Sequence, residues 1–573
     1  MAQITPGLDF LARKLFIPLI LFLAISLVIF LVGFRPTTWQ LLVAPFLGIT
    51  AYISAVISLG RWIERWEAAR MGSRLVPQCR RRHSAIDRAI AFFCGRRTYE
   101  VPGTMLAQEV VAYNSPIVNV FTIWFNYIVT TCPEHVKIIL TTNPENYVKG
   151  EGFSRVTRST LGMGVYTTDG SLWKFHRSVV RPLFLRSRHP THLELCDRYA
   201  QHAMAHLDSI TGAGYSIDLL NLFRWSSLNI ASEMLLGVCV SNLPCAHEAC
   251  SDRESSFYPE MDFSTAILRV QEVVSRREEL GPLWPLHELL NDKTKEPMHI
   301  ISQTLDPLIL AAMRKKMMRG VGVLYSTDEK AIDASNGKEN ETLLSQLAEL
   351  TDESYQIKDV ILNVLIPQRD NVALTLSSLV YYLALHPRIT SHLRAEILHH
   401  LGPIRRPTSD DLRAMKYLRA VINETLRLTP PVPCTIRETV TATTWPSPYP
   451  KGKPIYIPAH AKVSYDVYSI HTSKDFWGPD AKQFDPERFL DGRYQEYLSP
   501  NPYIFLPFGV GPRACFGQEV AYDEISILTI RLLQAYGSLS IDASAKYPTF
   551  RTLETRPLAY GNKNGLGLKL DTS

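Results

Sequence analysis

One cysteine lies where the sequence predicts a reactive thiolate. Cys515 belongs to the stretch PFGVGPRACFGQEVAYDE (residues 507–524), in which glycines, a proline and an arginine precede it and Gly517 follows. Such a segment predicts a tight loop that leads into a helix, where backbone N–H groups and the helix dipole favour a thiolate. A thiolate in this place is either a nucleophile or a metal ligand. A nucleophile needs a base, and no histidine lies close to Cys515 in the sequence.

A proline interrupts what otherwise reads as a long helix with an apolar face. Residues 363–375 are NVLIPQRDNVALT, so Asp370 follows Pro367 by three residues. Proline inside a helix removes one N–H and clashes with the carbonyl group four residues earlier, here that of Asn363. The sequence therefore predicts a kinked helix with a free backbone carbonyl close to an acid.

The loop around Cys515 has the pattern Phe508-Gly509-x-Gly511-x-Arg513-x-Cys515-x-Gly517. This pattern resembles the haem-binding loop of the cytochrome P-450 superfamily, F-x-x-G-x-R-x-C-x-G. The resemblance implies that Cys515 is the axial thiolate ligand of the iron of haem b, and that Phe508 and Gly509 belong to the cofactor-binding loop. A buried structural cysteine in a glycine-rich turn is the alternative.

A set of three charged residues also matches the family. Glu424 and Arg427 fit its E-x-x-R motif, and the i, i+3 spacing puts both charges on one helix face, where they can pair. Arg488 lies in a PERF segment whose arginine joins that pair in the family. The resemblance implies a buried charge cluster that fastens the irregular segment carrying Cys515, so that removal of one member leaves the others uncompensated.

Four further side chains match positions that hold the haem propionates in the family. Trp173 and Arg177 fit its W-x-x-x-R motif, an indole and a guanidinium one helical turn apart that can both donate hydrogen bonds to a propionate. Arg437 and Arg513 are the other two positions.

The distal oxygen-binding motif of the family, A/G-G-x-D/E-T-T, aligns with PQRDNV at residues 367–372, and only the acid is retained. The candidate catalytic residues are therefore Asp370 and Asn371, which could order a water that takes over the proton relay of the family's threonine hydroxyl. An amide is a poor proton relay. A haem-binding protein with impaired oxygen activation, and a haem-thiolate rearrangement, are therefore alternatives, as is a kink that serves packing alone.

The resemblance covers roughly residues 95–570 and is closest to fungal membrane-bound members near the alkane and fatty-acid hydroxylase branch. It implies a monooxygenase that inserts one oxygen atom of O₂ into a lipophilic substrate. We expect a terpenoid or other secondary metabolite first and a fatty acid or alkane second.

No flavin or nicotinamide segment is evident, so electrons from NADPH would arrive through a separate NADPH-cytochrome P-450 reductase, with cytochrome b5 as a further partner. Substrate would lie against the helix at 359–386 and the segments at 100–120 and 262–300.

The elements that must position these residues are mainly helical. Helical periodicity dominates residues 190–240, 262–320, 342–386 and 391–428, and residues 118–131 read as paired strands. We therefore expect a mainly α fold with small β-sheets, the cytochrome P-450 fold, over residues 95–573.

The N-terminus reads as a membrane anchor at residues 1–60, followed by a basic juxtamembrane linker at 61–94. Residues 15–34 and 39–60 lack charged side chains, and each is long enough to cross a bilayer as a helix. Arginines follow the second segment, which favours a hairpin with both ends cytosolic. One span with an interfacial segment is the main alternative, and a buried core helix is another. The resemblance then suggests the endoplasmic reticulum, with the catalytic domain in the cytosol.

The charge and the cysteines of the chain exclude other classes. The formal net charge is +6, but residues 61–82 carry seven arginines and two glutamates, so the charge of the remaining chain does not argue for a nucleic-acid-binding face. The nine cysteines have no regular spacing, which indicates free thiols in a reducing compartment. The stretch from Cys245 to Cys250 contains residue types that bind zinc, but no second pair of cysteine or histidine lies nearby in the sequence.

Overall fold

The computed structural model describes most of the chain. The described residues are 5–12, 38–78, 115–120, 126–185, 190–211, 219–240, 262–325, 342–541, 553–556, 559–562 and 568–571. The first apolar segment (15–34), the end of the basic linker and residues 100–114 of the predicted substrate cavity lie outside these ranges.

Helices dominate the described part, as predicted. They are α1 (6–12), α2 (Thr38–Arg70), α3 (Pro133–Lys137), α4 (Gly150–Leu161), α5 (Gly170–Leu185), α6 (Pro190–Thr211), α7 (Leu219–Leu236), α8 (Phe263–Leu280), α9 (Trp284–His287), α10 (Lys295–Tyr325), α11 (Leu343–Leu350), α12 (Ser354–Leu385), α13 (Pro387–Leu401), α14 (Ser409–Ala414), α15 (Lys416–Leu428), α16 (Val467–His471), α17 (Lys474–Trp477) and α18 (Gln518–Ala535). Short 3-10 and π turns lie at Ile138–Thr142, Pro144–Asn146, Gly281–Leu283, Pro486–Phe489, Tyr494–Leu498 and Pro502–Ile504.

The strands are short and form small sheets. They are β1 (Arg74–Leu75), β2 (Ile117–Asn119), β3 (Tyr127–Thr130), β4 (Tyr147–Val148), β5 (Cys434–Thr439), β6 (Thr443–Trp445), β7 (Ile455–Ile457), β8 (Lys462–Asp466), β9 (Ser538–Ile541), β10 (Leu553–Arg556), β11 (Ala559–Asn562) and β12 (Leu568–Asp571). The largest described sheet has the order β2-β3-β8-β5-β4, with β3 and β8 parallel. The paired strands predicted at 118–131 are confirmed, because β2 and β3 pair antiparallel with Ile117 opposite Thr130.

The long helix α12 joins the two helical parts of the core. Its first half, to Ile366, packs in a cluster with α4, α5, α7, α8, α10 and α11. Its second half, from Val372, packs in a cluster with α6, α7, α13, α15 and α18. Residues 367–371 therefore lie where the two clusters meet, and α12 runs through Pro367 without ending.

The second apolar segment lies on α2, which continues from Thr38 to Arg70. In the portion of the chain that the structure describes, we find no helix with the length and apolar character needed to cross a membrane.

Candidate functional site

A glycine-rich loop presents Cys515 just before α18. Gly509 and Gly511 adopt φ angles of 65° and 80°, in the left-handed region that favours glycine. A Cβ atom at Gly511 would lie 2.0 Å from the carbonyl oxygen of Leu140, so the close approach of the loop to that turn requires glycine. The backbone N–H of Cys515 donates to the carbonyl of Phe508 at 2.9 Å. These constraints hold the cysteine in one place.

The surroundings of the Cys515 thiol combine accessible surface with dense packing. The residue has accessible surface, yet protein atoms surround the thiol densely enough for burial to raise its pKa. Both observations hold if the thiol lines an enclosed cavity. A backbone hydrogen bond from Gly517 and the charge of Arg177 act in the opposite direction and favour the thiolate. A metal ion bound to the sulfur would remove its proton outright.

Two of the predicted arginines flank the loop. Arg177 donates through Nη2 to the carbonyl of Ala514 at 2.9 Å, one residue before the cysteine. Arg513 donates to Asp169 Oδ1 at 2.5 Å, and its guanidinium lies 4.4 Å from the ring centroid of Trp173. The structure thus brings Trp173, Arg177 and Arg513 together beside Cys515.

Two more cations, Arg437 and Lys149, lie close to these arginines. Arg437 is almost fully buried and donates to the carbonyl of Ile436 at 2.9 Å. The Lys149 ammonium lies 4.9 Å and 4.4 Å from the ring centroids of Phe153 and Tyr166. Lys149 is not among the residues that the family motifs indicate.

These cations are close enough to repel one another. Burial and the charges of Arg437 and Arg513 hold the pKa of Lys149 well below its usual value. Burial likewise lowers the pKa of Arg513 to about 10, with Asp169 opposing this and the neighbouring arginines adding to it. Asp169 and Glu278 offset part of the positive charge around Lys149. An accessible thiol beside a surplus of partly buried cations fits haem, whose iron takes a thiolate and whose propionates take guanidinium and ammonium donors.

The charged trio predicted from the motifs lies together in the core. Glu424 Oε1 accepts from Arg427 Nη2 at 2.8 Å, Arg488 Nε at 3.0 Å and the Asp485 N–H at 2.9 Å, and Oε2 accepts from Arg427 Nε at 2.7 Å. The three charged side chains have at most 2% of their surface exposed. Arg427 also donates to the backbone carbonyls of His471, Ala481 and Gln483.

His471 connects this trio to the cysteine loop. Burial lowers the pKa of His471 to about 3, with Arg427 adding to the effect, so the imidazole is neutral. Its Nδ1 then donates to the Arg427 carbonyl at 3.1 Å, and its Nε2 accepts from the Leu506 N–H at 2.8 Å. Leu506 lies two residues before Phe508, so the trio positions the start of the loop.

Asp370 belongs to a buried network between α12, α7 and α8. Its Oδ1 accepts from Arg224 Nε at 3.0 Å and from Arg369 Nη2 at 3.1 Å, and its Oδ2 accepts from Gln271 Nε2 at 2.7 Å. Burial alone would raise the pKa of Asp370, but the two arginines and the glutamine hydrogen bond lower it overall. Its carboxylate is therefore ionised, and hydrogen-bonded through both oxygens.

Asn371 lies on a different face of α12. Its Oδ1 is buried and makes no hydrogen bond to any residue within the described ranges. The structure therefore does not join Asp370 and Asn371 through a direct hydrogen bond among these residues.

Sequence reasoning missed four residues of this region: Lys149, Asp169, Arg224 and Gln271. The last two contact Asp370 across 146 and 99 residues of chain, and no local spacing indicates such contacts. Only for Asp169 among these four does the sequence offer an indication, since this residue follows two threonines and directly precedes the glycine that begins α5.

Within the described ranges, no group of three or more His, Cys, Asp or Glu side chains could hold a metal ion. The Cys245–Cys250 stretch lies outside the described residues.

Comparison with known proteins agrees with this site. The cytochrome P450 family model matches residues 100–559. Cytochrome P450 52-M1 of Starmerella bombicola is 30% identical over 439 residues, which are 75% of this chain and 78% of the relative. Cytochrome P450 52A10 of Candida maltosa is 30% identical over 430 residues (74% and 78%). Cytochrome P450 monooxygenase himC of Aspergillus japonicus is 30% identical over 446 residues (77% and 74%). The chain therefore belongs to the cytochrome P450 family of haem-thiolate monooxygenases.

Proposed function

We propose that this P450 hydroxylates a fatty acid or an alkane, inserting one oxygen atom of O₂ into the chain. The resemblance of the sequence to the alkane and fatty-acid hydroxylase branch supports this substrate class, as do the relatives that carry the P450 52 name. A terpenoid or another lipophilic secondary metabolite is the second candidate, since monooxygenases with other names match at the same identity.

The observation that carries the proposal is the convergence of the Cys515 thiol with buried cations. Cys515 would bind the haem iron, while Arg177, Arg437, Arg513 and Lys149, with the Trp173 indole, would hold the propionates. Phe508 and Gly509 would complete the loop beneath the cofactor. These residues bind and orient the cofactor rather than the substrate.

When bound, haem with a thiolate ligand supplies the activation of O₂ for insertion into a C–H bond. The chain's own residues shape the surroundings of that reaction. The thiolate is favoured by the Gly517 hydrogen bond and by Arg177. Asp370 remains ionised between its two arginines, and Asn371 presents an amide in place of a hydroxyl. An amide donates and accepts hydrogen bonds but passes protons poorly.

Electrons would come from a separate reductase, with NADPH as their source and cytochrome b5 as a second donor. The catalytic domain would span residues 95–573, as the motifs and the family match suggest.

We further propose that residues 1–60 hold the protein at a membrane, with 61–94 as the linker. The end of α2 docks on the catalytic domain, where the Asn126 side chain donates to Glu64 Oε1 at 2.5 Å. Trp62 and Trp66 are 61% and 53% exposed, and they lie on another face of the helix. Exposed tryptophans beside arginines are typical of a lipid–water interface. The endoplasmic reticulum, with a cytosolic catalytic domain, is the corresponding location.

Recombinant full-length chain in detergent, with a P450 reductase and NADPH, tests the proposal. We expect the carbon monoxide difference band of thiolate-ligated haem, and its loss in Cys515→Ser. Cys239→Ser is the matched control, because Cys239 is also accessible but bonds to Asn229. Survival of the band in Cys515→Ser would overturn the assignment of the ligand.

Mass spectrometry then decides the substrate. We expect hydroxylated products from a panel of fatty acids and alkanes, and none or fewer from a terpenoid panel. The reverse preference would favour the second candidate. A normal band with peroxide release and no product from either panel would support a haem-binding protein with impaired oxygen activation.

A further inference from the structure

A cleft lies between the start of α15 and the segment that follows the PERF turn. Its volume is about 320 Å³, near the lower end for sites that hold small organic molecules. One wall comes from α14 and α15, and the other from residues 489–494. The lining residues differ from those around the Cys515 thiol, so the cleft is a second place at which a molecule can bind.

Positive side chains line this cleft, and no acid is among its lining residues. The cations are Arg413, Lys416 and Arg419. Arg413 pairs with Asp410, but both side chains are mostly exposed, and such a pair contributes little. Lys416 and Arg419 make no ion pair with a carboxylate in the described part of the chain. The cleft therefore carries positive charge that the protein itself does not compensate.

Carboxylates on the adjoining segments are engaged elsewhere. Glu396 accepts from two backbone N–H groups of α15, at 2.9 Å and 2.8 Å. Arg493 binds both aspartates of the 485–491 segment, at 2.7 Å each. Glu487 lies 3.9 Å from His392 Nδ1. An anion that enters the cleft thus has the two cations of α15 available to it.

The guanidinium of Arg419 is held in position by an aromatic ring. It lies 3.6 Å from the ring centroid of Tyr522, whose hydroxyl donates to Asn423 Oδ1 at 2.7 Å. Burial raises the pKa of Tyr522 to about 12, with Arg419 opposing this, so the phenol is neutral and leaves the charge of Arg419 in place. A guanidinium stacked on a ring can still bind a carboxylate through its N–H edge.

The remaining lining of the cleft is mostly apolar. Leu412 and Ala420 are buried there, and Phe489 lies across from them. Leu490 and Tyr494 line the mouth with 44% and 40% of their surface exposed. A hydrocarbon chain that covers these side chains would remove apolar surface from water. Cations and apolar side chains together suit a ligand with an anionic head and a short apolar body.

We infer that this cleft binds a small amphiphilic carboxylate, with its head on Lys416 and Arg419 and its chain against Phe489 and Leu490. The inference does not rest on the haem site. Charge and chain must both contribute, because a surface cation alone holds any anion weakly. A probe that lacks either part should therefore bind less well than one that has both.

Calorimetric titration of the haem-loaded, full-length protein tests this inference. The haem cavity is first blocked with 4-phenylimidazole, a ligand of the iron, so that octanoate reports on the cleft. We expect octanoate to bind, octanol to bind about tenfold more weakly because it lacks the charge, and octylammonium to show no binding. Inorganic phosphate should also bind about tenfold more weakly, since it has no chain. Equal affinity for phosphate and octanoate would show an adventitious ion only and overturn the inference.

Variants locate the probe in the cleft. Lys416→Met and Arg419→Met should each weaken octanoate binding about tenfold and change octanol binding less than twofold. Leu490→Ser, at an exposed position, should weaken both probes by a similar factor. Arg314→Met is the matched control, because it removes one exposed positive charge from α10, and it should leave octanoate binding unchanged.

Two results with these variants would overturn the inference. The first is unchanged octanoate affinity in both Lys416→Met and Arg419→Met. The second is weaker reductase binding in these variants while octanoate binding stays the same, which would assign the cleft to a protein partner instead.

The salt dependence of binding needs no variant. Raising the salt concentration from about 0.1 M to about 1 M shortens the Debye length from about 10 Å to about 3 Å. The ratio of octanoate to octanol affinity should therefore fall severalfold, because only octanoate carries a charge. A ratio that does not change with salt would show that the cations of the cleft do not contact the carboxylate, and the inference would fail.

Discussion

Replacement of Glu424 by glutamine should loosen the cysteine loop by breaking the buried trio. Glu424 accepts four hydrogen bonds from Arg427, Arg488 and the Asp485 backbone, and it is fully buried. Glutamine removes the negative charge and turns an NH₂ group toward guanidinium donors. Loss of one partner of a buried ion pair costs about 3–5 kcal/mol, because the remaining charges stay buried.

The effect should reach the haem through a defined route. Arg427 holds the carbonyl of His471, and His471 accepts from the Leu506 N–H at 2.8 Å, just before the loop. We therefore expect Glu424→Gln to lower the denaturation midpoint and also to accelerate haem transfer to excess apomyoglobin. Both are measured on the same purified full-length protein.

The buried Arg277–Glu288 pair offers the matched control. Arg277 Nη2 lies 2.7 Å from Glu288 Oε2, both side chains are at most 3% exposed, and the pair joins α8 to the end of α9. Arg277→Met should cost a similar free energy of unfolding without a matching rise in the rate of haem loss. Equal acceleration of haem loss by both variants, or a cost below about 1 kcal/mol for Glu424→Gln, would refute the reasoning, since the buried-pair estimate and the His471 route would then both fail.

Three other perturbations test separate parts of the site. Burial raises the pKa of Glu524 to about 7, and neither of its oxygens has a hydrogen-bond partner in the described part of the structure, although the nearby Ser227 hydroxyl opposes the shift weakly. The protonated form of Glu524 thus stabilises the fold fully below pH ~4.3, and this stability is lost as pH rises toward 7. Glu524→Gln should therefore lie within about 1 kcal/mol of the parent at pH 5 and exceed its stability by about 3 kcal/mol at pH 9 in denaturant titrations, and a difference independent of pH would contradict this. Lys149→Met should weaken haem binding roughly tenfold or more yet stabilise the haem-free protein, because it removes a desolvated ammonium that makes no ion pair with a carboxylate in the described ranges, and a loss in both measurements would argue against the propionate role. Asn371→Thr should raise the ratio of product formed to NADPH consumed, and an unchanged ratio would show that the amide does not limit proton delivery.

The sequence predicted those parts of the site that depend on residues lying close together along the chain. The Cys515 loop depends on glycines within a few residues of the thiol, and Gly511 is needed both for its positive φ and because the Leu140 carbonyl leaves no room for a Cβ. Glu424 and Arg427 pair within one helical turn. Such local constraints are visible in a single sequence, and the mainly α fold with small sheets follows from periodicity in the same way.

Contacts between distant segments were not predictable in this way. Lys149 reaches the arginine cluster because β4 pairs with β5, which carries Arg437. Whether a lone lysine lies on the surface or over two aromatic rings is decided by that pairing and not by its neighbours in sequence. The predicted helix continues through Pro367, which it tolerates at the loss of one hydrogen bond, and the kink stays a prediction. Packing against two clusters outweighs the loss of one hydrogen bond.

Asp370 shows that a residue that matches a family motif need not have the role of the family's residue. Its alignment with the family acid suggested a group that orders water beside Asn371, yet its two oxygens are taken by Arg224, Arg369 and Gln271. Its pKa lies below the usual range, so the carboxyl holds no proton to donate near neutral pH. The accessible face of α12 instead presents Pro367, Gln368 and Asn371, none of which ionises. A carboxylate that is ionised and hydrogen-bonded through both oxygens is therefore not the source of a proton on this face, whatever the motif implies for the family acid.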